Sequence, residues 1–181
     1  MKIEQTKLKD CIIIEPQIFN DNRGYFFESF NQNKFKQATG LDIDFIQDNE
    51  SFSTKGVLRG LHFQKAPYAQ SKLIRVIQGT ILDVVVDLRK GSSTFGKYDS
   101  IELSNKNKKQ LFIPKGFAHG FVVLSDMATV VYKCDAFYNK ESEGGIIYND
   151  PTLNIDWQLL NNELIISEKD KTLPTFEAYF K

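Results

Sequence analysis

The sequence predicts an all-β protein, a β-sandwich or barrel carrying a few short helices. Three observations predict it. Short runs rich in Val, Ile, Phe and Tyr recur along most of the 181 residues. Turn residues separate them at short, regular intervals. Helical signals are confined to two brief segments. The length suits one domain spanning residues 1–181.

The elements follow in order. "IIIEP" (12–16) is a β-branched run closed by Pro16, and "GYFFESF" (24–30) is an aromatic one. "NQNKFKQATG" (31–40) reads as a helix, with Asn31 at its start and Gly40 at the left-handed position after its end. "FIQDNESFS" (45–53) reads as polar residues at strand ends and turns. "KLIRVI" (72–77) and "TILDVVVDL" (80–88) are strands, and the intervening "QGT" suits a tight hairpin. "RKGSSTFGKY" (89–98) is a loop. "SIELS", "QLFIP", "GFVVL" and "TVVYKCDAF" complete the strands, and a second short helix falls within 160–170.

Composition excludes several classes. The 23 basic and 23 acidic residues cancel, so no basic excess marks a nucleic-acid binder. The first 16 residues are too polar for a signal peptide, and nothing approaches the roughly 20 apolar residues that cross a bilayer. The two cysteines, Cys11 and Cys134, form no framework and have no metal-type spacing. The expectation is a soluble cytoplasmic protein with no nucleic-acid or membrane partner.

His62 is one of only two histidines. It reads as a core residue, a metal ligand or a base. Gly60, two positions earlier, leaves space on its face, as glycine does where a ligand or backbone comes close. Arg59 differs from His62 in strand parity, so a bulge near Gly60, or a position at the strand's mouth, is needed to aim both at one pocket. His119 lies 57 positions further on, too few donors for a metal site of three or four ligands. Lys72 shares a face with Ile74 and Val76. It either ends its strand and reaches water or points into a barrel interior. Tyr132 reads as a core tyrosine or as a proton donor facing His62. Asp170 lies in a charged cluster and matters only if it accepts a hydrogen bond from His62.

Eight ordered motifs then carry a resemblance. "DNRGYFFES", "QDNESFS", "GVLRGLHFQ", "KLIRVIQG", "DVVVDLRKGSSTFGKY", "FIPKGFAHGFVVLSD", "YNDPTLNIDW" and "SEKD" cover nearly the whole chain. Together they resemble the dTDP-4-dehydrorhamnose 3,5-epimerase family. The resemblance implies a cupin-type jelly-roll barrel in a homodimer whose N-terminal strands cross between subunits. It implies dTDP-4-dehydro-6-deoxy-D-glucose as substrate, dTDP-4-dehydro-L-rhamnose as product, and no cofactor or metal.

It also implies roles. His62 is the general base, Asp170 its partner, Tyr132 the proton donor, and Lys72 the cation at the keto oxygen. Arg23, Glu28, Gln47, Asp48, Asn49, Arg59, His119, Glu143 and Lys169 bind the nucleotide sugar, and Tyr138 stacks on thymine. Relatives on this barrel invert only one carbon or isomerise the ketone, and a non-catalytic sugar-nucleotide binder is a further alternative.

The chemistry suits these residue types. A C–H beside a ketone is acidic because the anion spreads onto the oxygen. Inversion removes a proton from one face of the ring and returns one to the other, which calls for a base and an acid on opposite sides. An imidazole titrates near neutrality and a phenol is protonated there. A preorganised cation stabilises the enolate by roughly 3–4 kcal/mol.

Overall fold

A computed structural model describes residues 1–181. The strands are β1 (Lys2–Gln5), β2 (Ile12–Glu15), β3 (Phe19–Asp21), β4 (Gly24–Phe26), β5 (Gln47–Thr54), β6 (Val57–Gln64) and β7 (Lys72–Gln78). They continue as β8 (Thr80–Asp87), β9 (Tyr98–Ser104), β10 (Gln110–Ile113), β11 (Phe117–Val123), β12 (Met127–Cys134), β13 (Glu143–Gly145) and β14 (Ile165–Ile166). Three α-helices are short: α1 (Gln32–Thr39), α2 (Glu168–Lys171) and α3 (Phe176–Phe180).

Two sheets face each other. The first has the order β1-β2-β10-β7-β12-β5. The second has the order β13-β6-β11-β8-β9, with β14 pairing parallel to β6. Because most spatial neighbours are distant in sequence, the chain alternates between the sheets as a jelly roll does. The architecture is the cupin-type barrel.

Alternation along each strand sorts the side chains into three layers. Ile74, Val76, Val130 and Leu111 of the first sheet meet Ile81, Val85, Phe121 and Val123 of the second in the barrel interior. The other face of β8, carrying Leu82, Val84 and Val86, packs under Trp157, Leu153 and Phe176 from the C-terminal third. The outer face of the first sheet buries Ile12, Ile14, Leu73 and Phe112 against Phe35 of α1. That helix begins as expected, with the Asn31 side chain accepting from the Lys34 N–H, and ends at Gly40 with φ 73°.

One expectation fails. "QGT" is not a hairpin, since β7 lies in the first sheet between β10 and β12 while β8 lies in the second between β11 and β9. Both edges of each strand are already paired. Gly79, at φ 79°, carries the chain around a barrel corner, where the Asn105 N–H donates to its carbonyl. Short turn signals do not reveal which ladder a strand joins.

Of the two ways to aim Arg59 and His62 at one pocket, the bulge near Gly60 is the one present. His119 pairs with His62 and Phe121 with Arg59, so β6 spends three steps where β11 spends two. Gly60 makes this possible at φ 134°, where a Cβ would stand 2.5 Å from the Gly120 Cα. Gly60→Ala is therefore expected to destabilise the fold by about 3 kcal/mol or more. Thermal denaturation checks this, and an unchanged midpoint would show that the bulge tolerates a side chain.

Candidate active site

The bulge tips β6 so that Arg59 and His62 both line one cavity of about 540 Å³ at an end of the barrel interior. Lys72, Tyr132, His119, Lys169 and Asp170 line it too. A second cavity of about 390 Å³ shares His62, Lys72 and Tyr132 and extends to Gln47, Asn49, Tyr138 and Glu143. The two adjoin, forming one elongated space with His62, Lys72 and Tyr132 at its waist.

The walls carry different chemistry. His62 and His119 project from the second sheet, as register partners across β6 and β11. Lys72 and Tyr132 project from the first, on the neighbouring strands β7 and β12. His62 and Tyr132 thus face one another from opposite walls.

On the His62 wall, Nε2 lies 2.7 Å from Asp170 Oδ1. Asp170 stands on α2, whose first turn is capped by Ser167 accepting the Asp170 N–H at 3.1 Å. Its second oxygen accepts the Gly60 N–H at 3.3 Å. Burial opposes ionisation of Asp170, but the hydrogen bonds from His62 and Gly60 hold its carboxyl below the ordinary carboxylate range. An ionised carboxylate can only accept, so Nε2 is the protonated ring nitrogen. Nδ1 is left as the basic one.

His119 repeats the arrangement deeper in, with Nε2 3.0 Å from Asp83 Oδ2. Burial pushes its pKa down, against the attraction of Asp83, and keeps the ring neutral. Spacing between the histidines in sequence hid the fact that they are neighbours in space. No group of three or more His, Cys, Asp or Glu side chains converges as a metal-binding cluster.

On the opposite wall, burial raises the Tyr132 phenol above its usual pKa, and Cys134 adds to the effect. The phenol is therefore protonated at neutral pH. Lys72 continues the face of Ile74 and Val76 into the interior, its Nζ 5.9 Å from the Tyr132 ring centroid. Desolvation lowers its pKa. No carboxylate forms an ion pair with it, and its side chain lines both cavities.

Three cations, Arg59, Lys72 and Lys169, line the larger cavity. Arg59 is braced on β5, donating to Ser53 Oγ at 3.0 Å and to the Phe52 carbonyl at 3.3 Å. Lys169 pairs with Glu143 at 2.7 Å, and the Tyr138 hydroxyl donates to the same Glu143 oxygen at 3.2 Å. That pairing holds the Glu143 carboxyl below its ordinary range.

Three sequence-selected residues lie elsewhere. Asp48 is on β5, where alternation turns Gln47 and Asn49 inward and Asp48 outward, onto Lys133 at 2.9 Å. Arg23 pairs with Asp21 at 2.6 Å on the exposed β3–β4 hairpin. Glu28 pairs with Lys34 and Asn31 at the start of α1. Conversely, Asp83 and Ser51 were not selected. Each is turned toward the interior with a buried side-chain oxygen that has no protein partner. An acid in the middle of the apolar run "TILDVVVDL", flanked by Leu82 and Val84, was the available signal for Asp83.

Proton transfer between two facing walls is the chemistry this cavity is equipped for, and it places the protein among acid–base enzymes on the cupin barrel. Comparison with known proteins narrows the class. The model of the dTDP-4-dehydrorhamnose 3,5-epimerase family matches residues 5–178. The dTDP-4-dehydrorhamnose 3,5-epimerase of Shigella flexneri is 53% identical over 170 residues, covering 94% of this chain and 93% of that protein. The crystal structure of the Elizabethkingia anophelis enzyme of the same name superposes with a TM-score of 0.95 at 55% identity, covering 98% and 97% of the two chains. A Legionella pneumophila dTDP-6-deoxy-D-glucose-3,5-epimerase, solved in complex with dTDP-4-keto-L-rhamnose, gives 0.93 at 47% identity, covering 97% and 93%. The chain belongs to the dTDP-4-dehydrorhamnose 3,5-epimerase family, whose members are isomerases.

Lys72 sits where its charge costs stability. Lys72→Met keeps the stem and removes the desolvated ammonium, so it is expected to raise stability by about 1 kcal/mol or leave it unchanged while abolishing turnover. Calorimetric melting and an activity assay check both halves. A marked drop in melting temperature would make Lys72 a structural residue.

Proposed function

We propose that the protein converts dTDP-4-dehydro-6-deoxy-D-glucose to dTDP-4-dehydro-L-rhamnose by removing and returning protons at C3 and C5. The observation that carries this reading is the opposition of His62 and Tyr132 across a cavity that also holds Lys72. His62, through Nδ1, takes the proton from the carbon beside the ketone. Asp170 stabilises the imidazolium that forms. Lys72 faces the keto oxygen as it becomes an enolate. Tyr132 delivers a proton to the opposite face of the ring.

The remaining residues bind the nucleotide. Arg59 and Lys169 are the cations for the diphosphate, with His119, Gln47, Asn49 and Glu143 as polar lining and Tyr138 as the ring for thymine. The ketosugar bound to the Legionella relative supports this substrate. The reading requires no cofactor. A cytoplasmic setting accords with the two unpaired thiols, Cys11 and Cys134.

Arg23 and Glu28 belong to the same reading through a homodimer. Within one chain they do not reach the cavity, and their exposed hairpin carries Phe19, Tyr25 and Phe26 at 54%, 57% and 69% exposure. An N-terminal segment passed to a second copy buries these rings and brings Arg23 and Glu28 to the partner's cavity.

Two experiments test these points. In heavy water, the wild type is expected to incorporate deuterium at both C3 and C5, read by NMR of the product. Incorporation at one carbon would make it a monoepimerase. His62→Ala is expected to lose exchange and product by roughly 10²–10⁴-fold, whereas Tyr132→Phe keeps exchange and loses product. Exchange and product falling in parallel in Tyr132→Phe would contradict separate acid and base roles.

The second experiment mixes subunits. His62→Ala and Arg23→Ala, each impaired alone, are expected to regain activity as a hybrid, because one barrel then has an intact His62 and receives an intact Arg23. No recovery in hybrids whose formation is verified would place Arg23 in its own subunit's site.

A further inference from the structure

We propose that Gln64 is a positioning residue that fixes the Tyr138 ring at a set distance from His62. The inference rests on the reading of Tyr138 as the ring that stacks on the base.

Tyr138 has little to hold its ring. It is 56% exposed, its ring joins none of the barrel's hydrophobic clusters, and its hydroxyl meets only Glu143. Its position is therefore inherited from its backbone, in the segment that follows β12. That backbone is held by glutamine side chains. Gln64 Oε1 accepts the Asn139 N–H at 2.6 Å, and Gln64 Nε2 donates to the Phe137 carbonyl at 3.2 Å and the Tyr68 carbonyl at 2.8 Å. The residues before and after Tyr138 are thus tied to one side chain. Gln47 Oε1 accepts the Tyr138 N–H itself at 2.9 Å, and Gln70 Nε2 donates to the Ala136 carbonyl at 2.7 Å.

Gln64 is the centre of this clamp. It is 8% exposed, and its amide bonds use both ends of the group. The arrangement also fixes the amide's orientation, because a flip would set Oε1 against two carbonyls. Gln64 is two residues from His62 on the same strand and face, about 6.7 Å along β6. One strand therefore carries both the proton-accepting ring and the clamp for the base-stacking ring. The span from sugar to nucleobase becomes a property of β6 rather than of a loop.

A purely structural role predicts lost stability without a link to Tyr138. The positioning role predicts coupling between the two. Gln64→Leu removes all three hydrogen bonds, and Gln64→Glu keeps the acceptor for Asn139 but loses both donors. Both are expected to raise KM for the ketosugar nucleotide and weaken dTDP binding by about tenfold, with kcat changed by less than about threefold. In a Tyr138→Ala background, adding either substitution is expected to change dTDP affinity by less than about twofold.

Isothermal titration with dTDP across this double-mutant cycle is the test, with folding verified by melting. If Gln64→Leu does not fold, Gln64→Glu carries the cycle. Equal losses in both backgrounds, or a fall in kcat with KM unchanged, would overturn the proposal while leaving the stacking reading intact. Full dTDP affinity in Tyr138→Ala alone would overturn the stacking reading, and the proposal with it.

Discussion

The hydrogen bond between His62 and Asp170 is the constraint on which the rest of the site depends. The partners lie 108 positions apart, at 2.7 Å. Several features exist to bring them together. The C-terminal segment covers the outer face of the second sheet, β14 pairs with β6, and the Ser167 cap starts α2 with Asp170 in its first turn. The bulge at Gly60 serves both ends of this contact. It turns His62 toward the cavity with Arg59 and aims its own N–H at Asp170. A carboxylate that is 5% exposed is costly to ionise, and the two donors offset that cost.

The barrel divides its interior by function. Away from the cavity, aliphatic side chains from both sheets interlock and supply the stability. Toward the cavity, the same inward-facing positions become Lys72, Tyr132, His119, Asp83, Asn49 and Ser51. Each is a poor choice for packing. Two of them leave buried oxygens without protein partners, as happens where polar groups are arranged for a ligand rather than for the fold. The two sheets put unlike chemistry on the two walls, an imidazole on one and a phenol with an amine on the other. In the proposed reaction, inversion at carbon uses that arrangement.

Much of the fold was legible in the sequence because alternation is a strong signal. β7 to β12 fall on the runs that β-branched and aromatic residues mark, and α1 begins and ends at its capping residues. Parity along β6 alone called for a bulge near Gly60 or a position at the strand's mouth. What escaped was whatever depends on a strand's partner. The 78–80 turn reads as a hairpin because local residues do not say that its flanking strands belong to different sheets. β5 escaped because its inward face is Gln47, Asn49, Ser51 and Ser53. An interior that is polar for the sake of a ligand erases the hydrophobic pattern that announces a strand. The outward direction of Asp48 escaped for the same reason, since without a strand there is no parity to turn it away from Gln47 and Asn49. Functional roles came from the ordered motifs and not from spacing, which left His62, Lys72 and Tyr132 open between core and chemistry.

The central claim is that Asp170 holds the proton on His62 Nε2 and leaves Nδ1 as the nitrogen that takes protons. Nitrogen-15 NMR of the histidine rings, assigned with His62→Asn and His119→Asn, reads this directly. For the neutral His62 ring the account predicts a protonated, pyrrole-type Nε2 and an unprotonated, pyridine-type Nδ1. A protonated Nδ1 beside a bare Nε2 would contradict it.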